Sequence, residues 1–356
     1  MHVTVAVCTW NRAALLDRTL ESLTRVAIPS GVTWEVIVAN NNSTDHTDAV
    51  IDKYIDRLPL TKLFVRQQGK SYALNEIVER LQGDLVLWTD DDVEFDEDWI
   101  ASYVSAAERW PEAMFFGGWI VPNFLDGEPE WLRPAWRVLS GVYAARELGD
   151  EPFPFDPKCL PFGANMAVRV DFQKRYSYDP ELGRRGELLL SGEETDLMRR
   201  WLSEGHVGMW VPESRVDHII TGERLELEHI RRFFFSLAES KLPRGWKGSL
   251  PVRVLFGSYY TLRAMKYSFL RLFSSREKDP YRWIKYLVRI SYCWGHVETQ
   301  WSGLPVWLKP PAVRRLKHRR AQPRPTNVEA DEAPTAGHGI PAPHLKSSSK
   351  RANVSK

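Results

Sequence analysis

The chain has 356 residues, 43% hydrophobic and 26% charged, with a mean hydropathy of −0.37, enough for the core of one large or two small domains. A disulfide mini-protein, a fibrous repeat and a wholly disordered chain are excluded, and three scattered cysteines (Cys8, Cys159, Cys293) without a CxxC pair argue against a zinc cluster and for a reducing compartment. The net charge of +2 hides an asymmetry: residues 309–356 carry 11 Lys/Arg against 3 Asp/Glu, net +8, which leaves −6 on residues 1–308.

Residues 3–8 form a short apolar strand with no basic stretch before it, so no signal peptide is expected. Strands follow at 34–39, 61–66 and 84–89. Between them, 13–26, 45–58 and 71–81 carry apolar residues at helical spacing, Leu16, Leu20 and Leu23 among them, and Asp45 is placed to cap the second helix. Strands alternating with helices of this length predict βαβ units and a largely parallel, Rossmann-like sheet flanked by helices. A further helix is expected at 98–109. The stretch 120–220 is less regular, with Pro- and Trp-rich loops, a strand at 162–168, a helix from 193 and short strands at 207–211 and 214–219.

From 225 the pattern turns helical. In 250–273, Arg253, Arg263, Lys266 and Arg271 fall within an arc of roughly 140°, and Leu262, Met265, Phe269 and Leu272 face the other way. In 279–301, Arg282, Lys285, Arg289 and His296 share a narrow stripe. Neither segment has about 20 uninterrupted apolar residues, so neither reads as a transmembrane span. Two readings are open: basic amphipathic helices on an anionic membrane surface, or helices packed on the domain with a solvated basic face. Residues 309–356, rich in Pro, Ala, Ser and Lys, read as a disordered tail.

Asp90, Asp91 and Asp92 follow the strand at 84–89. Ligands of open α/β sheets bind at the carboxyl ends of strands, and three adjacent carboxylates call for a cation. Oxygen ligands suit Mg²⁺ or Mn²⁺, ions that also suit diphosphates. Asp90 and Asp92 would project to the same side of an extended segment. A solvated acidic turn is the plainer alternative. CTWNR (8–12) and NNNSTD (40–45) put short polar side chains on the same rim, although turns favour these residues anyway.

These segments, with GKSYALNEIVERLQGDLVLWTDDDVEFDEDWI, PFGANMAVR, DPELGRRG and SGEETDLMRRW in that order, resemble the inverting family 2 glycosyltransferases of GT-A fold over about residues 1–240. The resemblance implies donor contacts at Thr9, Asn11, Arg12, Asn40, Lys70, Asp90 and Asp91, with Asn40 where an aspartate is usual and a UDP-sugar favoured. It implies a metal on Asp90, Asp92 and His218, an acceptor side at Gly163 and Asn165, and Glu194 as catalytic base with Asp196 as second candidate. Acidic residues also suit a first helical turn without any catalysis, and a lone histidine is more often structural.

The expected organisation is a GT-A domain at 1–240, an amphipathic helical region at 241–308 and the tail. The expected function is metal-dependent inverting transfer of a sugar from a nucleoside diphosphate to a hydroxyl of a glycan or lipid-linked acceptor, in polysaccharide or glycolipid synthesis. The enzyme would be cytoplasmic, peripheral on the membrane face, with no nucleic-acid partner. The rival is a non-catalytic nucleotide-sugar-binding scaffold at a membrane. No Walker loop and no Ser/His/Asp or Cys/His nucleophile pattern is present.

Overall fold

Strands β1 (His2–Thr9), β2 (Thr33–Asn40), β3 (Leu60–Phe64) and β4 (Leu85–Asp90) run parallel in the order β3-β2-β1-β4. Helices α1 (Ala13–Leu23), α2 (Thr47–Lys53) and α3 (Lys70–Val78) connect them. Successive strand residues turn to opposite faces. Val3, Val5 and Val7 of β1 pack with Leu16, Leu20 and Leu23 of α1, whereas Ala6 packs with Ala73, Leu74 and Ile77 of α3. The three helices are shorter than their spacing predicts: α1 stops at Leu23, α2 begins at Thr47 and α3 ends at Val78. Asp45 accepts from the Thr47 N–H at 3.1 Å and also from the Ala13 N–H at 3.2 Å, so it serves the first turns of both α2 and α1.

The chain continues through β5 (Val93–Phe95), α4 (Trp99–Arg109), β6 (Ala113–Phe124), α5 (Leu132–Leu139), β7 (Met166–Arg169), α6 (Val170–Gln173), α7 (Glu193–Ser203) and β8 (Val207–Ile220). One-turn 3-10 segments lie at Ser140–Tyr143 and Gly163–Asn165. The sheet extends as β4-β7-β6-β8-β5, with β7 antiparallel to β4 and β6, and β6 parallel to β8. The strand expected at 162–168 starts only at Met166, because 163–165 wind into the 3-10 turn. The two short strands expected at 207–211 and 214–219 are one, β8. Its ladder with β6 is interrupted between Trp210 and Arg215, where Pro212 lacks the N–H that a regular strand would use. This is a mostly parallel sheet flanked by helices.

After β8 come α8 (Gly222–Leu225), α9 (Leu227–Ser240), α10 (Leu250–Leu272) and α11 (Pro280–Trp301). The structure, a computed structural model, describes residues 1–184, 192–240 and 249–302. Ile284 and Leu287 of α11 pack with Leu132 and Leu139 of α5 and Ile230 of α9, and Cys293 packs with Ala264 and Tyr267 of α10. The predicted tail at 309–356 lies outside the described residues. No described helix is long and apolar enough to cross a membrane.

Helix α10 is turned the opposite way from the solvated basic face that its sequence allowed. Leu262, Met265, Phe269 and Leu272 are 66, 60, 61 and 80% exposed. Arg253 instead donates to the carbonyls of Gln300 and Ser302, Arg263 to the hydroxyls of Tyr259 and Tyr267, and Arg271 stacks on Trp283. His296 leaves the expected stripe of α11: it is buried and stacked on Tyr260.

Candidate active site

The carboxyl ends of β1 and β4 open into a cavity of about 960 Å³. Thr9, Asn11, Arg12, Lys70, all three aspartates, Gly163, Glu194, Asp196 and His218 line it. Two predicted residues do not. Asn40 is 1% exposed and spends its amide on Asp48 Oδ1 at 2.9 Å and on the Ser43 N–H at 2.9 Å, so Asn41 stands on the cavity wall in its place. Asn165 is fully buried. Its Oδ1 accepts from Trp99 Nε1, Tyr103 Oη and Ser214 Oγ, and its Nδ2 donates to the carbonyls of Trp119 and Ser214. It ties α4, β6 and β8 together and has no polar atom left for an acceptor.

The acidic cluster is a turn, not an extended segment: β4 ends at Asp90 and β5 begins at Val93. Among the described residues Asp90 and Asp92 therefore share no hydrogen-bond partner. Lys70 Nζ donates to Asp90 Oδ1 at 3.0 Å. Arg12 Nη1 reaches Asp91 Oδ1 and Asp92 Oδ2, both at 2.9 Å, and the Thr9 hydroxyl donates to Asp91 Oδ2 at 2.7 Å. Val93 pairs with His218 across the β5–β8 ladder, which sets the imidazole beside Asp92.

Around Asp92 the hydrogen bonds assign the histidine tautomer. His218 Nδ1 lies 2.7 Å from the Tyr143 carbonyl, which can only accept, so Nδ1 carries the proton. Arg224 Nη1 donates to His218 Nε2 at 3.0 Å and to Asp92 Oδ2 at 2.9 Å, so Nε2 presents a lone pair. Asp92 Oδ1 is buried, has no hydrogen-bond partner and lies 3.3 Å from that Nε2. Two lone pairs thus face each other, an arrangement that a cation satisfies. Burial alone would raise Asp92, but the charges around it, Arg12 and Arg224 among them, outweigh it and hold the carboxyl well below the usual range. No group of three or more His, Cys, Asp or Glu side chains among the described residues is arranged to hold an ion as it lies. Asp92 Oδ1 and His218 Nε2 form an unsatisfied corner with Asp90 on the same cavity wall.

Across the cavity, α7 begins after Gly192 with Glu193 and Glu194. Lys70, the first residue of α3, follows Gly69, whose φ of +139° suits glycine. Its ammonium donates to Glu194 Oε1 at 2.8 Å and lies 3.4 Å from Glu193 Oε1. One half-buried cation therefore joins Asp90 to both glutamates. Glu193 is buried, its Oε2 has no hydrogen-bond partner, and burial followed by the Glu194 charge pushes its carboxyl up to about 7. Glu194 is held by Lys70 and sits where Gly163 has no side chain: a Cβ there would fall 2.4 Å from Glu194 Oε1. Asp196 is exposed on the rim. Burial keeps the Cys8 thiol protonated, so it forms wall and not nucleophile.

Arg224 and the Tyr143 carbonyl were missed from sequence. Neither belongs to a motif, and only the fold brings them to His218. Trp10 lines the cavity with a buried Nε1 lacking a hydrogen-bond partner. The Arg-Gly end of DPELGRRG, residues 185–186, lies outside the described residues.

Residues 4–162 match the family model described as Glycosyl transferase family 2. The chain is 26% identical over 234 residues to a glucosyl-dolichyl phosphate glucuronosyltransferase of Haloferax volcanii, covering 64% of this chain and 72% of the relative. It is 25% identical over 241 residues to the succinoglycan biosynthesis protein ExoM of Rhizobium meliloti, covering 65% and 72%. Among solved structures, the mannosyltransferase PcManGT of Pyrobaculum calidifontis, in complex with GDP-Man and Mn²⁺, superposes with a TM-score of 0.49 and 18% identity over 90% of this chain and 79% of that one. Residues 4–162 thus carry the match to glycosyl transferase family 2, and the chain is a glycosyltransferase.

Proposed function

We propose that this glycosyltransferase moves a sugar from a nucleoside diphosphate donor to an acceptor hydroxyl in one displacement, with inversion at the anomeric carbon. The observation that carries the reading is the single cavity in which Asp92 and His218 face each other on one wall and Glu194, fixed by Lys70, faces in from the other. The unpaired Asp92 Oδ1 and the Nε2 lone pair fit a divalent ion, Mn²⁺ or Mg²⁺, with Asp90 beside them. Such an ion, when bound, neutralises charge that develops on the leaving diphosphate.

The chain's own groups do the rest. Arg12 and Arg224 fix Asp92 through Oδ2 and leave Oδ1 free of hydrogen bonds. Glu194 takes the proton from the attacking hydroxyl, and Lys70 holds that carboxylate in place. No covalent intermediate is needed, and the protonated Cys8 offers none. The name of the Haloferax volcanii relative supports a lipid-linked glycan acceptor, and that of ExoM supports polysaccharide synthesis. The absence of a spanning helix among the described residues and three cysteines outside any disulfide suit an enzyme peripheral at the cytoplasmic membrane face. The test is a panel of UDP- and GDP-sugars with Mn²⁺, read by release of the nucleoside diphosphate and by the anomeric configuration of the product. Retention in the product, or no release with any donor, overturns the reading.

A further inference from the structure

The apolar face of α10 is the largest concentration of exposed hydrophobic side chains among the described residues. Leu255, Leu262, Met265, Phe269, Leu272 and Phe273 are each 60 to 80% exposed. At 100° per residue they fall on one side of the helix, and at 1.5 Å per residue the 23 residues span roughly 35 Å. Soluble surfaces rarely carry a contiguous stripe of this kind without a partner.

Beside its carboxyl end lies a second cavity, of about 420 Å³, lined by Arg231, Ser268, Arg271, Leu272, Trp283 and Ile290. Leu272 belongs to both the stripe and the cavity. Arg271 stacks on Trp283 with 4.2 Å from guanidinium carbon to ring centre, and its buried Nε has no hydrogen-bond partner. Among the described residues Arg231 makes a long contact, 3.5 Å, to Glu228. Two guanidiniums and a serine hydroxyl around one hollow are suited to a phosphate.

Charge selects the occupant. Residues 250–276 contain five Arg/Lys and no Asp or Glu. Two copies of such a helix would repel along a shared seam, whereas an anionic bilayer surface attracts it. We propose that α10 lies in the headgroup region of an anionic bilayer, its apolar stripe turned into the acyl boundary and the Arg231–Arg271 hollow holding a lipid phosphate. This differs from a membrane contact through basic stripes alone, because insertion is apolar and the arginines supply the preference for anionic lipid. It stands independently of the donor, metal and base assignments.

The test uses the full chain and co-sedimentation with vesicles of phosphatidylcholine plus phosphatidylglycerol, or of phosphatidylcholine alone. The wild type binds the anionic vesicles. The triple variant Leu262→Ser, Phe269→Ser, Leu272→Ser, at exposed positions outside the catalytic cavity, loses binding by about tenfold or more while nucleoside diphosphate release from a soluble donor is unchanged. Arg231→Gln with Arg271→Gln, checked for an unchanged circular dichroism spectrum, binds both vesicles alike. Inorganic phosphate at millimolar concentration does not release the wild type. Failure of the wild type to bind, or full binding by the triple variant, overturns the proposal. Release by phosphate alone reassigns the hollow to a free anion, and a wild-type dimer that the triple variant splits in sedimentation equilibrium assigns the stripe to a second copy; either result overturns the proposal too. Vesicle binding without transfer from any donor would defeat the proposed function and leave this inference intact.

Discussion

Lys70 donates to Glu194 at 2.8 Å, joining the first residue of α3 to the first turn of α7 across 124 positions of chain. The same ammonium reaches Asp90 at 3.0 Å, so one side chain couples the acidic turn to the proposed base. Burial opposes its charge, but Asp90, Glu194 and Glu193 outweigh that and hold the ammonium well above its usual pKa.

Lys70→Met should therefore be costly. It leaves three buried or half-buried carboxylates without their shared cation, and removal of one partner from a buried pair costs about 3–5 kcal/mol. Urea unfolding should show a loss of that order, and a loss below about 1 kcal/mol would mean that the carboxylates are solvated.

Asp92→Asn keeps volume and removes the charge that Arg12, Arg224 and His218 surround. Turnover should fall by roughly 10²-fold or more, and chelation by EDTA should do the same to the wild type. Unchanged rates in both experiments would remove the metal from the proposal.

Glu194→Gln retains size but cannot accept a proton, so transfer should fall by roughly 10²–10⁴-fold. Donor affinity, followed by tryptophan fluorescence through Trp10 on the cavity wall, should change little. Asp196→Asn, on the exposed rim, should keep most of the rate. A reversed pattern would move the base to Asp196.

Gly163→Ala tests the close approach at the same carboxylate. The new Cβ would meet Glu194 Oε1 at 2.4 Å, so the carboxylate must shift. A displacement near 1 Å can cost on the order of 10²-fold in rate, and stability should be nearly unaffected because the flexible end of a side chain yields. Wild-type kinetics in this variant would show that Glu194 acts from another position.

Glu193 gives a pH dependence. Its folded pKa of about 7 lies above the ordinary 4.5, raised by burial and by Glu194. The native state thus binds more protons than the unfolded chain between those values, so this group's contribution favours folding at low pH and is lost as pH rises through 7. Glu193→Gln should flatten that decline, with the variant gaining on the wild type in thermal melts at pH 8 relative to pH 5. A difference that is equal at both pH values would place the shifted carboxyl elsewhere.

The sequence made β1 to β4 readable because period-two strands and 3.6-period helices each bury one clear face, as Val3, Val5 and Val7 against Leu16, Leu20 and Leu23 show. β6 was hidden by Gly117, Gly118 and Pro122 inside it, and α5 by the Pro- and Trp-rich stretch in which it lies. The acidic cluster, Lys70, Glu194 and His218 were found and do meet at one cavity. Asn40 and Asn165 were misplaced because a motif gives a position along the chain, not the side to which an amide turns at a strand end. The outward turn of α10 was unreadable for a related reason: both faces of the helix could be buried, and α11 selects the one with Ala264 and Tyr267.

The proton on His218 Nδ1 is held by a backbone atom. The Tyr143 carbonyl that accepts it closes a one-turn 3-10 segment, and the next residue, Ala144, is in the left-handed region at φ +53°. No side-chain replacement deletes a carbonyl, so the tautomer is encoded in the shape of a turn and not in the identity of a residue. Substitutions at Tyr143 can leave it intact, whereas inserting or removing one residue within 140–144 would rotate that carbonyl away and free the imidazole to turn its other nitrogen to Asp92.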